Sequence, residues 1–184
     1  MEHTKHNLFF LFTTIIISLL FAPISSLYCQ DEPKVSEKMK HFKDEYIETF
    51  ESDFNTVWSA VKLFVDERGC RLLSEREREN DFGLQKGICQ SEICVITQNT
   101  DSAFKMLQHY GLRPPFIRGG VWTAARVQYR FVVDDIGDGK VTVQSRLELN
   151  GWENHASFKA HEVTSNGLLE FEAFERIKEI INTR

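Results

Sequence analysis

The sequence has no excess of positive charge. Its 184 residues include 22 Lys and Arg against 27 Asp and Glu, which gives a formal net charge of −5. A protein dedicated to nucleic acids needs surplus basic side chains, because binding displaces counterions from the phosphates. The charge balance therefore argues against a nucleic-acid-binding protein.

The motifs that hold nucleotides or structural zinc are also missing. The chain has neither a Gly-x-Gly-x-x-Gly stretch nor a P-loop, the sequences that place backbone N–H groups around phosphates. It has no Cys-x-x-Cys pair, and the pair Cys89 and Cys94 has no second half of Cys or His at the spacing of a zinc site. We therefore expect neither a metal nor a cofactor.

Long apolar runs are scarce, and the only one lies at the N-terminus. Residues 8–22 read LFFLFTTIIISLLFA without a charge, which is short of the about 20 residues that span a bilayer. Lys5 precedes the run, and Ser25 and Ser26 follow it. A basic start, a short apolar stretch and a small-residue exit are typical of a secretory signal. We predict a signal peptide over 1–28 and an exported protein, with an uncleaved anchor as the alternative.

Cys29 directly follows the predicted signal. This placement resembles a bacterial lipoprotein signal, in which the cysteine becomes the lipidated first residue of the mature chain. Ser26 and Tyr28 stand where that pattern has Leu and a small residue, and Leu27 is one position late, so the form is closer to the looser spirochaetal signals. The resemblance implies a lipid-anchored protein of the cell envelope, at the outer membrane or cell surface. Cleavage after Ser26, which would leave an unmodified Cys29 and a periplasmic protein, is the alternative.

Three further cysteines, Cys70, Cys89 and Cys94, follow in the chain. Export permits disulfides, and Cys89 and Cys94 are close enough in sequence to close a bridge across a tight loop. Cys70 would then be buried or paired with Cys29. Four cysteines allow three pairings, and the sequence does not choose among them.

Apolar periodicity divides the chain into a polar tether over 29–44 and one domain over 45–184. Strict alternation from 121 to 133 and from 141 to 149, around an Asp-Gly turn, predicts an antiparallel hairpin with one wet face. Helical spacing predicts helices over 54–68 and from 168 to the C-terminus. Shorter strands are predicted over 46–50, 70–78, 83–88 and 93–97, a loop over 98–120, and an irregular segment or short edge strand over 150–163.

This order of elements predicts the α+β class. A sheet with a single apolar face needs a cover, and the N-terminal helix and the long C-terminal helix supply it. We therefore expect a two-layer domain with an antiparallel sheet packed by these two helices.

Two stretches resemble known envelope domains. FNTVWSAVKLFVDERGCRLLSERERENDFGLQ (54–85) and TSNGLLEFEAFERIKEI (164–180) resemble the opening and the last helix of bacterial envelope lipoprotein domains with a helix-grip architecture. Domains of the BamC-type lipoprotein of outer-membrane assembly share this layout, as do lipid-carrying START-like domains. The resemblance implies a helix-grip-like fold, and it carries little functional weight because these relatives differ in activity.

The best candidate for recognition is the loop GLRPPFIRGG over 111–120. Its prolines and glycines exclude an element interior. Apolar residues on such a loop are costly to expose without a partner, and their packing under the edge of the domain is the alternative to a binding role. Basic residues on the polar face of the following strand extend the patch. The candidate partner-binding residues are Arg113, Phe116, Ile117, Arg118, Arg126 and Arg130.

No constellation of residues favours catalysis. His155 and His161 lie beside Glu153 and Glu162, but their spacing is not the i, i+4 pair that places two ligands on one helical face. Cys94 with His109 has no surrounding nucleophile motif. We therefore predict a protein that is not an enzyme.

These observations favour an exported, non-enzymatic interaction module of the cell envelope. Its partner would be a protein of envelope assembly or, as the spirochaete-like signal implies, a host protein such as a complement regulator or a matrix component. A lipid on Cys29 would add contact with the membrane. The alternative is a periplasmic carrier that holds a lipid or another apolar small molecule in a helix-grip cavity.

Overall fold

The computed structural model describes residues 39–98 and 100–183. They form seven strands and three helices in one α+β arrangement. In chain order the elements are β1 (Tyr46–Phe50), α1 (Phe54–Glu67), β2 (Leu72–Glu79), β3 (Gln85–Ser91), β4 (Cys94–Thr97), α2 (Thr100–Tyr110), β5 (Trp122–Gly137), β6 (Lys140–Glu153), β7 (Lys159–Val163) and α3 (Leu168–Asn182).

All strand pairs of the sheet are antiparallel, in the order β1-β6-β5-β3-β2. β4 also pairs with β5, and β7 also pairs with β6. The long β5–β6 hairpin therefore lies at the centre of the sheet. Each of its two strands pairs with two shorter strands along the edge that faces away from the hairpin partner. The predicted hairpin is confirmed, and its turn places Asp138 and Gly139 at positive φ.

The three helices cover one face of the sheet. Alternate residues of β5 and β6 are buried, such as Phe131 and Val143, and they meet the apolar stripes of α1 and α3. Phe64 of α1 packs edge-on against Tyr129 and Phe131. One apolar face of the sheet is thus enclosed, and the predicted two-layer α+β fold is confirmed.

The start and end of α1 follow from local chemistry. Asp53 caps the helix, since its carboxylate accepts the Thr56 N–H at 3.0 Å and the Thr56 hydroxyl at 2.6 Å. Gly69 follows the helix with a φ of 69°, the left-handed conformation in which helices often end.

The predicted loop over 98–120 is wrong in its first half, where the structure has α2. Only Ala103 and Leu107 of this helix are buried. Its other apolar residues, Phe104, Met106 and Tyr110, are exposed or only partly buried, so its buried stripe is too narrow to stand out in the sequence. The second half, residues 111–121, has no regular secondary structure, as predicted. At 150–163 the structure extends β6 to Glu153 and forms the predicted edge strand only at β7, Lys159–Val163.

The disulfide joins Cys70 to Cys94, with Cα atoms 5.5 Å apart, and Cys89 is a buried free thiol. The possible Cys89–Cys94 bridge, one of the pairings that the sequence left open, is therefore wrong. Both cysteines lie on strands that pair with β5, where Cys89 is opposite Phe131 and Cys94 is opposite Val127. Four residues of strand separate these positions by about 13 Å, whereas bridged Cα atoms lie at most about 7 Å apart.

The described part of the predicted tether, residues 39–44, packs on the domain. The ring of His41 lies 4.4 Å from that of Phe171 in α3, and the Lys43 N–H donates to the Tyr46 hydroxyl at 3.1 Å. A side chain at Gly167 would collide with the His41 carbonyl, so this glycine allows the close approach. The packed domain therefore includes the end of the segment that the sequence assigns to a tether.

The predicted signal peptide and Cys29 lie outside the described residues. None of the helices that the structure describes has the length and apolar character needed to cross a membrane.

Candidate functional site

Two loops, residues 111–121 and residues 154–158, meet at the end of the β5–β6 hairpin that lies opposite its turn. We call these two loops the tip. The Asn154 N–H donates to the Val121 carbonyl at 3.0 Å. The Nδ1 atom of His155 lies 3.0 Å from the Gly119 carbonyl oxygen. The register of the hairpin brings the loops together, because Trp122 pairs with Glu153.

Glu153 holds the tip together from inside. Its side chain is fully buried, and it accepts the backbone N–H groups of Val121 (2.9 Å), His155 (2.6 Å), Ala156 (2.8 Å) and Ser157 (2.5 Å). The Ser157 hydroxyl donates to it at 2.7 Å. One carboxylate thus accepts hydrogen bonds from both loops, which fixes their relative position.

The environment of Glu153 keeps this carboxylate ionised. Burial by itself would raise the pKa of Glu153, but the hydrogen bonds from Ser157, Ala156 and Val121 outweigh burial and hold the pKa well below its usual range. An ionised carboxylate only accepts hydrogen bonds, and every neighbour described above donates one to it.

A polar chain continues from Glu153 to His161. The Ser157 Oγ atom lies 2.7 Å from Nε2 of His161. Because the Ser157 proton is donated to Glu153, His161 must donate its Nε2 proton to Ser157. The ring of His161 also lies 5.6 Å from that of Trp122. In this arrangement His161 is a donor to the serine and does not accept its proton.

The histidine and cysteine candidates do not form a common site. His155 contacts Gly119, whereas His161 contacts Ser157. Cys94 is part of the disulfide, and His109 packs against the ring of Tyr110. Across residues 39–98 and 100–183, no group of three His, Cys, Asp or Glu side chains has the arrangement of a metal site.

The tip exposes two phenylalanines to solvent. Phe116 is 94% exposed in the first loop, and Phe158 is 64% exposed in the second. Phe158 also has a φ of 51°, an uncommon conformation for a bulky residue. Backbone strain of this kind is concentrated at binding and active sites. Ile117, between Phe116 and Arg118 in sequence, packs partly against the core.

The six predicted partner-binding residues lie in two places. Arg113, Phe116, Ile117 and Arg118 belong to the tip, and both arginines are exposed. Arg126 and Arg130 lie on the outer face of β5. The guanidinium of Arg126 stacks 5.0 Å above the Trp152 ring, while Arg130 is exposed and pairs in register with Arg146 of β6.

Sequence reasoning missed Phe158 and Glu153. Phe158 stands in the polar stretch NHASFK, where an isolated aromatic residue was a signal for an exposed contact. The role of Glu153 could not be found in this way, because it depends on the proximity of Val121, which is 32 residues away in sequence.

Comparison with protein-family models, with curated proteins and with solved structures found no match.

Proposed function

We propose that this protein is an exported, non-enzymatic interaction module of the cell envelope, and that the tip is its contact surface for a protein partner. The observation that carries the proposal is the pair of exposed phenylalanines, Phe116 and Phe158, on two loops fixed to each other through Glu153. Rigid aromatic side chains bury much apolar area on binding and lose little conformational entropy, so they often dominate interface energetics.

The charge of the tip indicates the chemistry of the partner. The two loops contain Arg113 and Arg118 and no Asp or Glu, although the whole chain has a net charge of −5. Arginine is enriched at interfaces and pairs with carboxylates through a planar fork. The tip therefore fits an apolar pocket on the partner that is bordered by carboxylates.

The carrier alternative has less support, because the larger cleft of the domain, about 370 Å³, is lined by five carboxyl groups and one guanidinium group and does not suit a lipid. One cavity, of about 250 Å³, is lined by the Cys70–Cys94 disulfide, Tyr110 and Tyr129, with Glu67 and Arg68 also on its wall. Sites for small molecules usually measure about 300–1,000 Å³ and are largely apolar. A lipid that co-purifies with the protein in native mass spectrometry would favour the carrier over the interaction module.

Export and lipid anchoring are tested by the intact mass of the protein extracted from its own envelope. The lipoprotein hypothesis expects residues 29–184 plus acyl chains, which would anchor the domain through Cys29. A bare mass that starts at Leu27 would contradict the anchor and would favour a periplasmic protein.

The contact surface is tested by photo-crosslinking in cells. A photoreactive phenylalanine analogue replaces Phe116 in one variant and Phe158 in another. The matched control carries it at Phe82, which is 88% exposed and lies in the β2–β3 turn beside the opposite end of the β5–β6 hairpin. We expect an adduct with one protein from positions 116 and 158 and none from position 82.

Other crosslinking outcomes would contradict the proposal. Equal adducts at all three positions would mean that any exposed aromatic side chain is captured. Adducts with lipid alone would mean that the tip contacts a membrane and not a protein. The absence of adducts at both tip positions would exclude the tip as the contact surface.

A further inference from the structure

A cleft opens at a gap in the edge of the sheet. β1 pairs with β6 as far as Ser145, and β7 pairs with β6 from Leu149 onward. Between these registers, residues 146–148 of β6 face no strand on this side within the described part of the chain. The start of α3 and the segment before β1 close the gap into a cleft of about 370 Å³.

β5 has a similar gap along the edge that faces away from β6, but hydrogen bonds to Ser91 close it. Residues 128 and 129 lie between the registers of β3 and β4. There, the Tyr129 N–H donates to the Ser91 hydroxyl at 3.0 Å, and the Gln128 amide donates to the Ser91 carbonyl at 2.8 Å. On β5 the gap between the two shorter strands is thus closed by hydrogen bonds to Ser91. On β6 the corresponding gap remains open as a cavity.

The wall of the cleft is strongly acidic. It carries five carboxyl groups and one guanidinium group. None of the five carboxyl groups forms an ion pair with a described residue. The carboxyl groups belong to Asp44, Glu45, Glu148, Glu162 and Glu170, and the guanidinium belongs to Arg146.

Glu170 is the buried member of this set. It is 2% exposed, and its Oε2 atom accepts the Ser165 hydroxyl at 2.7 Å. Burial raises the pKa of Glu170 above its usual value. A buried carboxyl group without a cationic partner is costly in the free protein, and a cation in the cleft would relieve that cost.

Ser145 gives a second, independent indication of a ligand. It lies on the helix-facing side of β6, lines the cleft and is 2% exposed. Its hydroxyl has no hydrogen-bond partner within the described residues. Buried hydroxyls are rarely left without a partner, so a ligand with N–H donors would satisfy this oxygen.

Two aromatic residues, Phe42 and Tyr46, also line the cleft. The Tyr46 hydroxyl already accepts the Lys43 N–H at 3.1 Å. Aromatic faces attract organic cations through the ring quadrupole. Carboxylates, aromatic rings and short apolar side chains such as Leu147 together suit a cation that carries an alkyl chain.

We propose that this cleft is a binding site for an alkylammonium ion, with Glu170 as the main counter-charge. The ammonium group satisfies Glu170 and Ser145, and its alkyl chain lies along Phe42, Tyr46 and Leu147. The site shares no lining residue with the tip and does not depend on the proposed function, although Gly111 at the start of the first loop pairs with Ser165 on the cleft wall. The same chemistry is offered by a free alkylamine and by the side chain of a lysine in another protein.

Calorimetric titration of the full chain with three probes tests the proposal. Butylammonium represents the free amine, Nα-acetyl-lysinamide represents the lysine side chain, and 1-butanol is the neutral control. We expect at least one ammonium probe to bind and butanol not to bind. Binding of butylammonium alone identifies a free amine, and binding of the lysine derivative alone identifies a side chain.

Matched variants locate the site. Glu170→Gln keeps an acceptor for Ser165 and removes the charge, so we expect about tenfold to a hundredfold weaker ammonium binding. Ser145→Ala should also weaken binding. Glu175→Gln, on the exposed surface of the same helix, should leave it unchanged. Undiminished binding by Glu170→Gln, or equal binding of butanol, would overturn the proposal.

A measurement on the unmodified protein covers the case in which Glu170→Gln fails to fold. Ammonium-induced NMR shifts should be confined to amides around Tyr46, residues 144–149 and Ser165. Shifts that appear mainly elsewhere, or no shifts with either ammonium probe, would contradict the site.

Discussion

Glu153 shows how one buried carboxylate organises a surface. A buried charge is tolerated only when hydrogen bonds replace its lost hydration, and Glu153 receives them from Val121, Ala156 and Ser157 among others. The donors are the Ser157 hydroxyl and backbone groups of two loops that have little secondary structure of their own. The order of the tip therefore depends on the ionised state of this residue.

The depressed pKa of Glu153 predicts a pH-dependent contribution to stability. In the folded state the group binds fewer protons than the unfolded chain does, so its contribution is complete above the unfolded pKa of about 4.3. It is lost as the pH falls below that value toward the folded pKa. Glu153→Gln should be less stable than the unmodified protein at pH 7, and the difference should shrink in acid.

Urea unfolding at several pH values between neutral and acidic measures this difference. The exposed Glu148→Gln provides the control, since it should change stability little at any pH. A difference between Glu153→Gln and the unmodified protein that is independent of pH would contradict the hydrogen-bonded carboxylate.

A second prediction at the scale of the residue concerns the reactivity of Cys89 and the pairing of the other cysteines. Burial raises the pKa of the Cys89 thiol to about 12, and the thiolate is the reactive form. Cys89 should therefore resist iodoacetamide at pH 8 in the folded protein and react once the chain is unfolded. Peptide mapping without reduction should find Cys70 linked to Cys94, and a Cys89–Cys94 peptide would contradict the structure.

At the scale of the element, the packing of α2 on β6 requires a glycine at position 151 of that strand. A Cβ atom at Gly151 would lie 2.5 Å from Cδ1 of Leu107 and 2.6 Å from the Trp122 ring. Gly151→Ala should therefore displace the helix and cost about 1–3 kcal/mol of unfolding free energy, as overpacked cores do. Lys105→Ala, on the exposed side of α2, is the control.

Chemical denaturation measures both variants. An unchanged free energy of unfolding for Gly151→Ala would mean that α2 does not pack against β6 through Leu107.

The longest elements that sequence reasoning predicted are those whose burial is one-sided. α1, α3 and the β5–β6 hairpin each bury alternate or helically spaced apolar residues, and that pattern is visible in the sequence. α2 fully buries only Ala103 and Leu107, and two buried positions are too few to show a helical period in the sequence.

Features that depend on register could not be predicted. The cysteine pairing follows from where β3 and β4 meet β5, which is a property of the assembled sheet. For the same reason the sequence could not show that Phe116 and Phe158 lie on two loops that meet. Their common place at the tip follows from the pairing of Trp122 with Glu153.

At the scale of the whole domain, the length of β5 separates the tip from Phe82, which is 88% exposed. β5 has 16 residues and, at about 3.3 Å per residue, separates its ends by roughly 50 Å. The tip lies at the start of β5, whereas Phe82 lies near its end. This distance makes Phe82 a matched control, because it is exposed and aromatic but far from the proposed contact surface.

The most direct test of the account is the affinity of tip variants for the protein that crosslinks at position 116, measured by surface plasmon resonance. Phe116→Ser and Phe158→Ser should each weaken binding at least about tenfold, as truncation of aromatic anchors does, while Phe82→Ser should bind like the unmodified protein. Unchanged affinity of both tip variants, or an equal loss for Phe82→Ser, would contradict the tip as the contact surface.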